Sequence, residues 1–154
     1  MKKILKLFFI FYLLSIGSLK SEIVKPSSNI KPVEVIKIQL KGLMKNDTPY
    51  KDRGIEQTWE FAHPNNQRFT GPLSNFKEMI KGESYSMLLN HLGYEISEIY
   101  REDNKVLYEV IVLDINKNFF KFRWQVERFL KNGPLENCWL TTVVSQPIPL
   151  GSST

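Results

Sequence analysis

Phe120-Lys121-Phe122-Arg123-Trp124-Gln125-Val126-Glu127 is the stretch on which the fold turns. Phe120, Phe122, Trp124 and Val126 fall on one side of a two-residue period, and Lys121, Arg123, Gln125 and Glu127 on the other. Successive strand side chains point to opposite faces, so the pattern predicts a strand with one face on a core and one toward solvent. Upstream, Val106 to Ile115 is β-rich on both faces, interrupted on one face only by Glu109, and Asn116-Lys117-Asn118 supplies the turn between the two runs. Further back, Tyr94 to Arg101 alternates loosely and ends in the turn Glu102-Asp103-Asn104. Downstream, Asn132-Gly133-Pro134 breaks the chain and Cys138 to Gln146 forms the last strand. Pro147 and Pro149 end it, leaving Gly151 to Thr154 as a polar tail. Four strands joined by short turns predict an antiparallel meander.

The first half of the chain has a different period. Pro32 suits the first position of a helix, where its missing N–H costs nothing. Val33, Ile36, Leu40 and Leu43 recur at helical spacing, with Lys37, Lys41 and Lys45 opposite, until Asn46-Asp47-Thr48-Pro49 stops the run. Asp52 is placed to cap a second helix carrying Ile55, Trp59 and Ala62, which His63-Pro64-Asn65-Asn66 ends as a turn. Thr70-Gly71-Pro72 opens a third, with Leu73, Phe76 and Ile80 on one face and Gly82 as its stop. Tyr85 to Leu89 fits a helical turn and a strand equally. Helices followed by strands predict an α+β fold, N-terminal helices packed on a curved four-stranded antiparallel sheet. No repeat or inner boundary interrupts it: a linker over 22–31, one domain over 32–147, a tail over 148–154.

The N-terminus is read separately. Met1-Lys2-Lys3-Ile4-Leu5-Lys6 followed by the apolar run Leu7 to Ile16 has the form of a secretory signal over residues 1–21. The run is shorter than the roughly 20 residues of a membrane-spanning helix; an uncleaved anchor and a buried core helix are the competing readings. Lys2, Lys3, Lys6 and Lys20 precede the first acid, Glu22, so setting them aside brings the 21 basic residues to within one of the 16 acidic ones. The excess of positive charge therefore belongs to the export segment, and nucleic acid is not among the expected partners. The single cysteine, Cys138, cannot form an intrachain disulfide and reads as a small buried hydrophobe; with only two histidines, little is left for a metal site.

Several runs sharpen the fold expectation: Gln39-Leu40 with Asn46-Asp47, then Gly54-Ile55, Phe61-Ala62 before Pro64 and Asn66, and Thr70-Gly71-Pro72-Leu73 with Phe76. Tyr85 with Leu88-Leu89 and His91 follows, and Trp139-Leu140-Thr141 closes the series. In order and spacing these resemble a family of unknown function with a nuclear transport factor 2-like domain, the cone-shaped fold shared with the ketosteroid isomerases. That family is known mainly from cyanobacteria, algae and plant plastids. The resemblance covers roughly Val33 to Gln146 and implies fold and lineage, not a reaction. With it, a periplasm or thylakoid lumen becomes the expected address. His63 departs from the pattern, which has a small residue, usually serine, at that place.

The implied architecture is a pocket walled by aromatics, with a carboxylate or histidine as proton-transfer base. The candidate bases are Glu109, on a face with Leu107, Ile111 and Leu113, and His91, at the start of the sheet. Against these stand a solvent-facing Glu109 paired with Arg101 or Arg123, and a structural His91. The candidate binding residues are Trp59, Phe61, Asn66, Arg68, Tyr85, Phe122, Trp124 and Trp139, for which core packing and turn formation are the competing roles. Lys117, Lys121, Arg123, Arg128 and Lys131 form a mildly basic strip that reads as a solvated face. No Gly-rich phosphate loop, Gly-x-Ser-x-Gly or His-Glu-x-x-His is present, and nothing calls for a cofactor. Three functions fit: an exported non-catalytic domain binding a small apolar ligand or a protein partner, an isomerase- or dehydratase-type enzyme, and a structural homodimer formed through the sheet.

Overall fold

The structure, a computed structural model, describes residues 22–153. Residues 1–21, which the sequence reading takes for an export signal, lie outside them. Four helices, α1 (Pro32–Met44), α2 (Arg53–Glu60), α3 (Pro64–Thr70) and α4 (Leu73–Lys81), precede an antiparallel sheet. A 3-10 turn at Ser86–Leu88 leads into strands β1 (Gly93–Glu102), β2 (Lys105–Leu113), β3 (Asn118–Arg128), β4 (Trp139–Val144) and β5 (Ile148–Ser152). The α+β class and the antiparallel meander are as the sequence predicts. The order is β1-β2-β3-β4, with β5 also on β3, and the sheet is not closed.

The two-residue period decides which face is inside. Val106, Tyr108, Val110 and Val112 of β2 are buried, and their cross-strand neighbours on β3 are Val126, Trp124, Phe122 and Phe120. Helix α1 covers this face with Val35, Ile36, Leu40 and Leu43, all fully buried and part of the same core cluster. Burying such side chains is worth about 1.5–3 kcal/mol each, which sets the register against slippage by one residue. Helix α2 crosses α1 where Gly54 meets Gly42, and Asn46 fastens the crossing: its carbonyl accepts from Gly54 N–H at 2.9 Å and its Oδ1 from Ile55 N–H at 3.1 Å.

Three expectations are corrected. His63-Pro64-Asn65-Asn66 is the start of helix α3, not a turn: Pro64 occupies the first position and His63 Nδ1 accepts from Asn65 N–H at 3.1 Å. Residues 148–152 are strand β5, not tail. β2 holds one edge of β3 along its whole length, so β4 and β5 share the other, divided at Ser145 to Pro147. An edge strand tolerates proline because an N–H facing away from the ladder is not needed; Pro149 sits opposite Phe120 beside a register shift. Finally, the linker is docked at its start. Val24 exchanges two hydrogen bonds of 2.8 Å with the Gln57 side chain, and Lys25 pairs with Glu60.

Candidate functional site

Between the helices and the inner face of β3 and β4 lies a cavity of about 300 Å³, at the lower end of the range of about 300–1,000 Å³ typical of small-molecule sites. Leu43, Phe76, Ile80 and Leu88 supply much of its apolar wall and Trp124 its floor. Its polar side chains are already engaged with one another. Trp124 Nε1–H donates to Thr141 Oγ1 at 3.2 Å, the Thr141 hydroxyl donates to Gln39 Oε1 at 2.6 Å, and Gln39 Nε2 donates to the Thr58 carbonyl at 3.0 Å. Thr58 Oγ1 continues the chain to the Gly54 carbonyl at 2.9 Å. A buried chain with every link made leaves the interior chemically apolar.

The mouth has a different character. Asn66 Nδ2 donates to the carbonyls of Thr141 and Thr142, at 3.1 and 2.8 Å, and so docks α3 on the edge of β4. Tyr85 closes the other side, its hydroxyl donating to the Val144 carbonyl at 3.1 Å, and burial raises its pKa. Around these, three apolar cavity-lining side chains stand open to solvent: Phe69 at 93 %, Val143 at 47 % and Met79 at 37 % exposure. No residue of α3 is buried, so its phenylalanine is not there to fill the core.

Asn66, Tyr85 and Trp124 are thus brought together at the cavity. The other binding candidates are elsewhere. Phe61 and Phe122 are fully buried in the core, and Trp59 packs on Phe76 with ring centroids 5.0 Å apart. Trp139 lies under the Arg128 guanidinium at 5.0 Å, and exposed Arg68 donates to the Asn65 side chain. Sequence reading quoted Gln39 and Thr141 only among the runs that carry the resemblance, not as site residues, and passed over Thr58.

Neither candidate base lines the cavity. Glu109 is on the outer face of the sheet, directly across from Arg123 and paired with Lys121 Nζ at 3.4 Å. That outer face also carries an open groove of about 420 Å³ between Glu95, Ile111, Leu113, Phe119 and Leu150. His91 is buried under the start of β1, its ring edge-on to Tyr94, with Nδ1 2.7 Å from the Leu88 carbonyl. Nδ1 therefore carries the proton and Nε2 is a bare acceptor with no partner among the described residues. Among the described residues the sole ionisable side chain lining the cavity is Tyr85. Cys138 is buried, which raises its thiol pKa.

Burial lowers the His91 pKa, and more than offsets the bond to Leu88. Below about pH 6.5 the unfolded chain takes up a proton that the native chain refuses, so this stability is present above the unfolded value and lost as pH falls toward the folded one. Unfolding by urea across about pH 7.5 to 5 should show stability declining with acid, and His91→Gln should flatten that decline. His63, whose pKa burial also lowers, contributes in the same direction. An unchanged slope in His91→Gln would remove His91 as the cause.

Similarity assigns no identity. No protein-family model matches the chain, and no curated protein or solved structure matches it either. The reading of the site therefore rests on its geometry. No described helix is long and apolar enough to cross a membrane, and no described cluster of His, Cys, Asp or Glu could hold a metal ion.

Proposed function

We propose that the protein is an exported, non-catalytic binding domain whose interior cavity takes a small apolar ligand or an apolar side chain of a protein partner. The observation that carries this is the cavity wall: an apolar interior whose polar atoms already bond one another, opening past exposed Phe69, Met79 and Val143. Solvent-exposed apolar side chains gathered at a cavity mouth lower the cost of passing an apolar guest from water to the interior. Helices laid over one face of an open antiparallel sheet, with the cavity between them, support a cone-shaped nuclear transport factor 2-like domain. The proton-transfer reading is the weaker one because Glu109 and His91 stand outside the cavity. The basic start and apolar run at residues 1–21 support export, to a periplasm or thylakoid lumen.

Titration of the full chain with the neutral fluorophore N-phenyl-1-naphthylamine tests the reading. Saturable enhancement with one site per chain is expected. Phe69→Ser should leave stability within about 0.5 kcal/mol, as for other exposed positions, yet weaken binding several-fold. Ala62→Leu, which fills the cavity, should abolish binding with the far-ultraviolet circular dichroism intact. Equal binding by Ala62→Leu would exclude the cavity as the site.

A further inference from the structure

The polar side chains that line the cavity have committed their protons to the protein itself. At the mouth, Asn66 turns its Nδ2 protons to two backbone carbonyls, those of Thr141 and Thr142. Thr70 Oγ1 donates to the Asn66 carbonyl at 2.9 Å, and the Tyr85 hydroxyl donates to the Val144 carbonyl at 3.1 Å. Inside, Trp124 Nε1–H and the hydroxyls of Thr141 and Thr58 belong to the buried chain that ends at the Gly54 carbonyl. Thr142 is the least firmly held: its hydroxyl accepts from Gln125 Nε2 at 3.0 Å and has the Gln125 carbonyl as its own acceptor at 3.5 Å. The one side-chain proton left over is the second on Gln39 Nε2, and Gln39 is 1 % exposed.

Acceptors are in surplus at the same place. An amide oxygen and a hydroxyl oxygen each have room for two hydrogen bonds. Asn66 Oδ1 receives none from the described residues, and the amide cannot turn over without setting that oxygen against two carbonyls. The Tyr85 and Thr70 hydroxyls act as donors within the protein, so their oxygens keep room as well. Among the described residues no charged side chain lines the cavity, and burial raises the Tyr85 pKa, so its phenol stays neutral. An ammonium or a carboxylate would therefore enter without a counter-charge. A ketone would bury its oxygen where almost no proton is offered, whereas a hydroxyl finds its acceptor waiting.

We propose that the cavity selects small neutral alcohols, an apolar body with one hydroxyl that donates to Asn66 Oδ1 at the mouth. The inference rests on the cavity being a binding site and narrows what it takes. The apolar body lies against Leu43, Phe76, Ile80, Leu88 and the Trp124 floor. A cavity with no acceptor would rank the guests the other way. In water a hydroxyl both gives and accepts hydrogen bonds and a ketone only accepts, so the hydroxyl loses more on entering hydrocarbon.

The full chain, uniformly labelled with nitrogen-15, is titrated with menthol and with menthone, which share one carbon skeleton and differ as hydroxyl and carbonyl. Saturable shifts of the Thr141, Val143 and Val144 amides are expected with both guests, and menthol should bind about tenfold more tightly. The side-chain amide signal of Asn66 should move further with menthol than with menthone. Asn66→Leu should cut the preference for menthol several-fold. Both guests meet the same variant, so a loosened α3 that weakens them equally leaves their ratio untouched. Menthone bound as tightly as menthol, with the cavity amides shifting, would overturn the selectivity and leave the cavity as an apolar site. No cavity shift with either guest would overturn the binding reading as well. A preference that survives whole in Asn66→Leu would also overturn the proposal, since the acceptor would then lie elsewhere.

Discussion

Gly54→Ala is expected to lower folding stability by about 3 kcal/mol, although alanine is the better helix former by about 1 kcal/mol. The reason is steric and local. A Cβ on Gly54 would lie 2.1 Å from the Gly42 carbonyl oxygen, 2.6 Å from its carbon and 2.9 Å from the Asn46 Cα, all of them backbone atoms. No rotamer change relieves such contacts, so α2 must move off α1. Moving it stretches the two hydrogen bonds that Asn46 accepts from the start of α2, and shifts the buried Ile55 beside them. Gly42 is the control on the same crossing. Its added Cβ would meet Gln57 Cβ and the Gly54 oxygen at 3.3 Å, a pressure that small adjustments absorb. Gly42→Ala should therefore lose no more than about 1 kcal/mol. Urea unfolding of both variants gives the comparison; a Gly54→Ala protein as stable as the parent would mean the helices do not cross this closely.

What could be read from the sequence was whatever repeats locally. The period of two in β3 and the helical spacing in α1 gave class, order and inner face of those elements, because burial of one face imposes the repeat. Where chain punctuation was the guide, the reading was less sound. His63-Pro64 looks like a stop, but a proline in the first helical position with an acceptor side chain before it is a start. Pro147 and Pro149 look like the end of the sheet, but on an outer edge a proline removes a donor that nothing needs. Glu109 shows a further limit. Both faces of β2 are apolar, so alternation places Leu107, Glu109 and Ile111 together without saying that theirs is the outer face. The cavity was least legible: Trp124, Tyr85 and Asn66 were named, but Gln39 and Thr141 are 102 positions apart. No local pattern joins them.

That distant pair is the place where stability and binding meet. Thr141→Val keeps the shape of the side chain and removes one hydroxyl, yet is expected to lower stability by about 2–4 kcal/mol. Two buried groups lose their partners at once: Trp124 Nε1–H loses its acceptor and Gln39 Oε1 its donor. Gln39→Leu alone strands the Thr141 proton, whereas the Thr58 carbonyl still accepts from Phe61 N–H at 3.3 Å. In the double variant the lost Gln39–Thr141 bond is counted once, so the combined loss should fall short of the sum by at least about 1 kcal/mol. Simple additivity, measured by urea unfolding of the four proteins, would show that the chain does not act as a unit. The same substitution reaches the cavity. Trp124 forms its floor, and an indole N–H without an acceptor is a polar demand on whatever occupies the space. A guest bearing a carbonyl should then gain affinity over a hydrocarbon of the same shape in Thr141→Val, and not in the parent. The internal pairing of its polar side chains, rather than their absence, is what makes this cavity apolar.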